Sequence, residues 1–398
     1  MKVIIALSMI FVLLLSAGAS SGRDFDRKLD QAVKPHRFNL TGWEIKTLFG
    51  RIGQNIWSRA GKGEDGAGAV SEYVTLGNRI QALESQIDST NCGTLQPELA
   101  GLQKQREALA ETVETTIKRQ LVATLREHGI YQPWYKNIRL KLGFPPLDFK
   151  LESLPHLLVI SPRDRIETLK TVLLVKDLNS PTMENIETAV DKLDVSSLVA
   201  DVGGLGTYPN LVGTDFGLQF ILDTAAHEWT HEYLSFTPLG FRYVLGLSGL
   251  RQNPDIVTLN ETVADIVGKE IGAAVREKYY ARPETKTLPN QPAFDFDREM
   301  RDIRKTLDGY LAKGEVEAAE KFMNEKRDYL ATKGYHIRKL NQAYFAFNGQ
   351  YADTPAFASP VGAELKQLRA RSASLGEFLS AAASLTGRHD LRLALGQD

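Results

Sequence analysis

Apolar residues recur along this chain with two different periods, and the change of period divides it. Tyr73, Leu76, Ile80, Leu83 and Ile87 step by three and four, as one face of a helix does. After a break at Ser89-Thr90-Asn91-Cys92-Gly93 the same spacing returns in Leu99, Leu102, Leu109, Val113, Ile117, Leu121 and Leu125. Two long helices joined by a short turn predict an antiparallel hairpin over residues 71–128, ended by His128-Gly129. Upstream, Ile45, Leu48, Phe49, Ile52 and Ile56 mark another helix, opened by Thr41-Gly42-Trp43-Glu44 with capping-box spacing. Residues 61–68, rich in glycine, read as a loop, and residues 23–36 as a polar lead-in.

From Leu147 the texture changes. Leu157-Leu158-Val159-Ile160, Val172-Leu173-Leu174-Val175 and residues 197–202 are short apolar, partly β-branched runs, which predict strands. Ser180-Pro181 opens a helix reaching about residue 193. Residues 204–210, with their glycines and Pro209, suit an edge strand or its flanking loop. One helix then begins near Asp215 and another runs over about 254–280, with a connection containing Gly and Pro between them at 235–253. Pro283, Pro289 and Pro292 mark a linker. From Asp295 helical spacing resumes to the end, broken near Gly349 and Thr354-Pro355. The expected class is α+β, with a central region of strands and helices at 147–280 between helical regions at 20–146 and 281–398.

Charge and composition narrow the setting. Forty-eight basic against 49 acidic residues leave a net charge of −1, so no strong field favours nucleic acid. Residues 1–19 combine one lysine, a thirteen-residue apolar run and an Ala-x-Ala ending, which predicts a secretory signal and an exported protein. That run is shorter than the roughly 20 residues a spanning helix needs. If it stayed uncleaved, residues 3–15 would attach the chain to a membrane. Cys92 is the only cysteine, so no intrachain disulfide can form, and a bacterial periplasmic or extracellular protein held by its core or by a metal is the expectation.

The chemistry gathers in His227-Glu228-Trp229-Thr230-His231. On a helix, residues four apart stand one turn above each other, so both imidazoles face the same way. That arrangement suits two zinc ligands, with Glu228 beside the first able to address a water held by the metal. Catalytic zinc needs a third protein ligand. Glu261 and Asp265, four apart on the next helix, offer one carboxylate for metal and another to receive a histidine ring N–H. Trp229 and Tyr233 read as helix packing; Glu232 and Asp223 as solvated or capping residues; His36, His128, His156 and His389 as structural.

His227-Glu228-x-x-His231 followed by Asn260-Glu261-x-x-x-Asp265 resembles the signature of the gluzincin metallopeptidases, the group that includes thermolysin. The likeness covers residues 200–275. It implies a zincin-like centre, Zn2+ held by His227, His231 and Glu261, Glu228 as general base, Asp265 orienting a ligand histidine and Asn260 buttressing the site. It also implies an antiparallel edge strand at 204–210 that would bind a peptide or protein substrate by strand addition. The Gly-Ala-Met-Glu-Asn segment of the aminopeptidase branch is replaced here by Gly206-Thr207-Tyr208-Pro209-Asn210, which lacks an acid to hold a substrate amine. Tyr208, Tyr243, His336, Arg338 and Tyr344 are candidates to steady negative charge on the substrate. Two other readings fit the same residues: an envelope protein that binds a partner through its helices and keeps a structural metal, and a zinc hydrolase acting on something other than peptides.

Overall fold

The computed structural model describes residues 23–38, 66–90, 95–131, 145–176, 178–214, 217–247, 253–280, 294–349 and 360–397. The expected signal, the helix expected from Thr41, Cys92, the proline-marked linker and the break at Thr354-Pro355 lie outside these residues. The class is mixed α+β, with helices predominating over two small sheets.

Residues 23–36, expected as a lead-in, instead form α1 (Arg23–Val33) and a 3-10 turn at Lys34–His36. The reason is a narrow apolar face: Leu29 and Val33 are fully buried, with Phe25 and Ala32 beside them. The hairpin is α2 (Gly66–Thr90) and α3 (Gln96–Glu127). Helix α2 starts inside the glycine-rich run because Gly66 crosses α3 closely; a Cβ there would stand 2.3 Å from Thr116 Oγ1. Beyond α3, Gly129 takes φ +72, the left-handed conformation glycine adopts at little cost after a helix. The outer hairpin closes on Ile80, Leu83, Leu99 and Leu102, whereas Val113, Ile117, Leu121 and Leu125 nearer its base enter the main core.

Strands β1 (Phe149–Glu152), β2 (His156–Pro162), β3 (Lys170–Leu174), β4 (Val195–Asp201), β5 (Gly204–Leu205) and β6 (Asn210–Gly213) make two three-stranded sheets. The strongly apolar runs form an antiparallel sheet, β3-β2-β4, with His156 opposite Leu174 on one side and Asp201 on the other. It is backed by α4 (Ser180–Asp191) and α1. The second sheet, β1-β6-β5, is the mixed one: β1 runs parallel to β6, and β5 lies antiparallel at the edge. Strands β1 and β6 are four residues each, too short to stand out from their flanks by period alone.

Three helices follow: α5 (Leu218–Leu234), α6 (Pro238–Leu247) and α7 (Pro254–Tyr280). The connection expected over 235–253 therefore contains a helix. Helices α8 (Phe296–Ala312), α9 (Val316–Thr332) and α10 (Gln342–Asn348) share a core around Met300, Leu307 and Phe345. From α10, Ala343 and Tyr344 pack on the antiparallel sheet, and Arg338 grips Glu187 on α4 through two bonds of 2.8 and 2.6 Å. Helices α11 (Val361–Arg371), α12 (Leu375–Ala383) and α13 (Arg388–Ala394) join the main core through Leu365, Phe378 and Leu391, and Arg369 binds Glu270 of α7. The C-terminal helices thus divide between the two halves of the molecule. No described helix is long and apolar enough to cross a membrane.

The centre of the molecule is the antiparallel pair α5 and α7. Ile221, Leu222, Ala225 and Ala226 on one, and Leu259, Val263, Val267 and Ile271 on the other, are essentially excluded from water. Each larger aliphatic side chain among them contributes about 1.5–3 kcal/mol by that burial. Two glycines set the spacing. A Cβ on Gly268 would lie 2.8 Å from the Asp223 carbonyl oxygen and 3.1 Å from His227 Cβ; one on Gly272 would lie 1.9 Å from Asp223 Oδ1 and 3.0 Å from Asp223 N. Backbone cannot move aside as a side-chain tip can, so even one methyl group must push the helices apart. Gly268→Ala is expected to cost about 1–3 kcal/mol of stability by overpacking. It should also weaken any metal uptake through His227, His231 and Glu261, because the two helices that carry them separate. Thermal unfolding and a zinc titration check both, and an unchanged midpoint with unchanged uptake would refute the spacing argument.

Candidate metal centre

Helix α5 presents His227 and His231 one turn apart towards α7, and α7 answers with Glu261. The imidazole Nε2 atoms lie 3.0 Å apart. Glu261 Oε2 is 3.6 Å from His227 Nε2 and 3.4 Å from His231 Nε2. For a tetrahedral zinc site with bonds of about 2.0–2.1 Å, neighbouring ligand atoms stand about 3.3 Å apart. The three observed separations bracket that edge length, so the donor set fits zinc in both chemistry and spacing. Two imidazole lone pairs this close repel each other unless a proton or a cation lies between them.

Surrounding groups hold the donors in place. Asn260 Oδ1 is 2.6 Å from His231 Nδ1, where it accepts the ring N–H and leaves Nε2 turned to the cluster. Tyr243, on α6, donates to Glu261 Oε1 at 2.7 Å. Its ring also stacks on His231, with centroids 5.6 Å apart and planes 7° from parallel. Asp265 lies on the same face of α7 as Glu261 and forms an ion pair with Lys269 at 2.8 Å. On the other side of α5, Trp229 Nε1 donates to the Pro145 carbonyl at 2.8 Å and the ring packs 5.5 Å from Tyr233, so these two do anchor the helix.

Glu228 projects from α5 towards the sheet edge. A Cβ on Gly204 of β5 would stand 2.3 Å from Glu228 Oε1 and 2.7 Å from Thr224 Cγ2, so glycine is what lets the edge strand lie against this carboxylate. Burial pushes the Glu228 carboxyl up, while His227 and His231 pull it down and Glu261 adds to the rise. Among the oxyanion candidates, Tyr208 sits in the turn between β5 and β6, ahead of a cis peptide bond to Pro209. Tyr243 is committed to Glu261 and Arg338 to Glu187. His336 is exposed ahead of α10, and Tyr344 packs against Phe345 and the β2–β4 sheet.

Two acids on α5 differ from expectation. Glu232, expected to be solvated, has both carboxyl oxygens buried and without a hydrogen-bond partner. Burial, reinforced by Asp148 and Glu228, pushes its carboxyl well above the ordinary range and favours the neutral form. Asp223 is half-buried, accepts from Gln219 Nε2 at 2.6 Å and is pushed up to about 6, chiefly by burial. Neither position could be separated from a surface acid by period, since both sit beside residues that face α7 or the sheet.

Charge within the cluster has a consequence for metal uptake. Burial disfavours a charged His231, but the neighbouring Glu261 carboxylate outweighs it and lifts the imidazole to about 9. Burial acts against Glu261 as well, yet the histidines hold its carboxyl well below the usual range, so it stays ionised. So raised, the imidazole favours its charged form at pH 7, and an incoming metal ion would have to displace that proton. Because the raised value lies above neutrality, apparent zinc affinity should climb about tenfold per pH unit from 7 and level off near 9. Calorimetric titration in two buffers of different ionisation heat should register about one proton released at pH 7. A flat affinity across this range with no proton released would refute the ion-paired cluster.

Compared with known protein families, with curated proteins and with solved structures, the chain matches none.

Proposed function

We propose that this protein is an exported, zinc-dependent peptidase of gluzincin type, built on a zincin-like centre. The observation that carries the reading is the convergence of His227 Nε2, His231 Nε2 and Glu261 Oε2 within 4.8 Å of one another, with Glu228 next to the first ligand in the chain. His227, His231 and Glu261 would hold the ion. When bound, zinc supplies a Lewis acid that polarises a carbonyl and makes a water acidic near neutral pH. A site meant only for structure would fill its fourth position with a protein group. Among the described residues, the cluster of potential ligands has three members.

Glu228 then has a task its surroundings suit. It takes a proton from the attacking water and returns it to the leaving amine, and partial burial raises its proton affinity towards what a group doing both requires. Beside it, β5 forms the edge of its sheet, with one side of its backbone turned away from β6. An extended peptide added there as a further strand would pass over Glu228, and main-chain bonding would make recognition tolerant of side-chain sequence. Tyr208 is carried by the turn that continues this strand, which makes it the best placed of the candidate donors for the developing negative charge.

Glu228→Gln should bind zinc as the unaltered protein does while cleavage of an unfolded protein falls about 10²–10⁴-fold. Glu261→Ala should lose stoichiometric zinc and cleavage together. Metal analysis and a proteolysis assay on the purified chain check both. An unaltered protein that never holds one zinc per chain, or full cleavage by the Gln variant, would overturn the reading.

A further inference from the structure

Tyr243 touches two members of the cluster at once, by different means. Its hydroxyl donates to Glu261 Oε1 at 2.7 Å, and its ring lies parallel to that of His231 with centroids 5.6 Å apart. The side chain is 9% exposed, so water competes little for the hydroxyl. Glu261 has two oxygens, and the other, Oε2, is the one turned to both imidazoles, at 3.6 and 3.4 Å. From this geometry we propose that Tyr243 is a positioning residue that fixes Glu261 as a one-oxygen metal ligand and holds the plane of His231. The inference rests on the metal centre being real and deepens it.

The physical argument concerns freedom that must otherwise be removed on binding. The terminal torsion of a glutamate is broad and nearly two-fold, so an untethered carboxylate would rotate, offering either oxygen or both. A carboxylate only accepts hydrogen bonds, so the phenol must be the donor. Occupying Oε1 leaves Oε2 as the free face and disfavours a second metal bond from the same group. On His231, the Asn260 oxygen grips the ring at Nδ1 and the tyrosine covers its face, so both its rotation and its tilt are set. Supporting groups of this kind are commonly worth 10–100-fold in metal affinity.

Helix α6 is what makes the arrangement available, and its own packing is tight. A Cβ on Gly240 would stand 2.0 Å from the Leu234 carbonyl oxygen at the end of α5, so the helix turns back directly over the metal helix. Leu239 is fully buried and Tyr243 follows it one turn on, facing α5 and α7, while Phe241 is 60% exposed on the opposite side.

The test compares Tyr243→Phe with the unaltered full chain. Zinc affinity by chelator competition should fall about 10–100-fold. The visible spectrum of the cobalt-substituted variant should lose intensity, as the released carboxylate takes up two-oxygen binding and raises the coordination number. Phe241→Leu, on the exposed face of the same helix, should leave both readings unchanged. Equal affinity and superimposable cobalt spectra for Tyr243→Phe would overturn the proposal while leaving the metal centre intact. Absence of zinc uptake by the unaltered chain would overturn both. Should Tyr243→Phe fail to fold, X-ray absorption of the zinc-loaded unaltered chain decides: a carboxylate bound through one oxygen is expected, and two-oxygen binding refutes the role.

Discussion

The close contact between the backbones of α5 and α7 is the constraint on which the rest of this structure depends. Gly268 and Gly272 remove the only atoms that would keep the two helices at ordinary distance, and Asp223 and His227 sit in the space gained. The glycines fall seven and eleven residues after Glu261, on the same helical face, so the residue that completes the cluster and those that set its depth are read from one stripe. Helices normally cross 8–10 Å apart, with side chains filling the gap. Here the shorter approach brings a glutamate across to two histidines whose side chains are only 14% and 11% exposed. Three polar groups are thereby held among largely apolar side chains such as Leu222, Leu259, Val263 and Val267. They face one another there, Asn260 accepts from His231 Nδ1, and Tyr243 donates to Glu261 Oε1.

The remainder of the chain braces this pair rather than extending it. The base of the hairpin lies against α7, where Tyr280 donates to Gln120 at 2.6 Å, and Glu114 of α3 accepts from the Leu151 backbone of β1. Arg106 reaches the Thr214 carbonyl just past β6. Through these contacts the hairpin fixes the mixed sheet whose far edge, β5, touches Glu228. On the opposite side α11 to α13 close over α7. The inner half of the hairpin is part of the main core, which ties its placement to that of the edge strand.

Much of this was legible in the sequence, and the parts that were not share a cause. Long elements with a sustained period, α2, α3 and α7, stood out, as did the apolar runs of β2, β3 and β4. The residues of the His227, His231 and Glu261 cluster were legible because helical geometry converts a spacing of four into a shared face. What escaped were elements whose residues serve tertiary contact rather than period. Pro238 and Gly240 resemble punctuation, yet they belong to α6, where the proline falls at the helix start and the glycine clears the Leu234 carbonyl. The 3-10 turn and α1 were hidden in charge, since only Leu29 and Val33 of that stretch are fully buried. Tyr243 had been weighed only as a partner for substrate; its bond to Glu261 depends on a helix the pattern did not reveal.

Glu232 and Glu228 illustrate how a single helix can keep two buried acids in different states. Both lie on α5, four residues apart, and burial raises both. Glu228, however, is pulled back by His227 and His231, whereas Glu232 is pushed further by negative charge from Asp148 and Glu228, with Asn210 alone acting the other way. Held neutral, Glu232 would add no repulsion to the neighbouring Glu228 carboxyl, and the cost would fall on its two buried oxygens. Had both acids faced the histidines, they would have competed for the same positive charge, and Glu228 would have been more easily protonated. Four residues carry the helix 40° past a full turn, so the two acids are near neighbours on it, and it is their surroundings that differ: His227 and His231 beside Glu228, Asp148 and Asn210 beside Glu232.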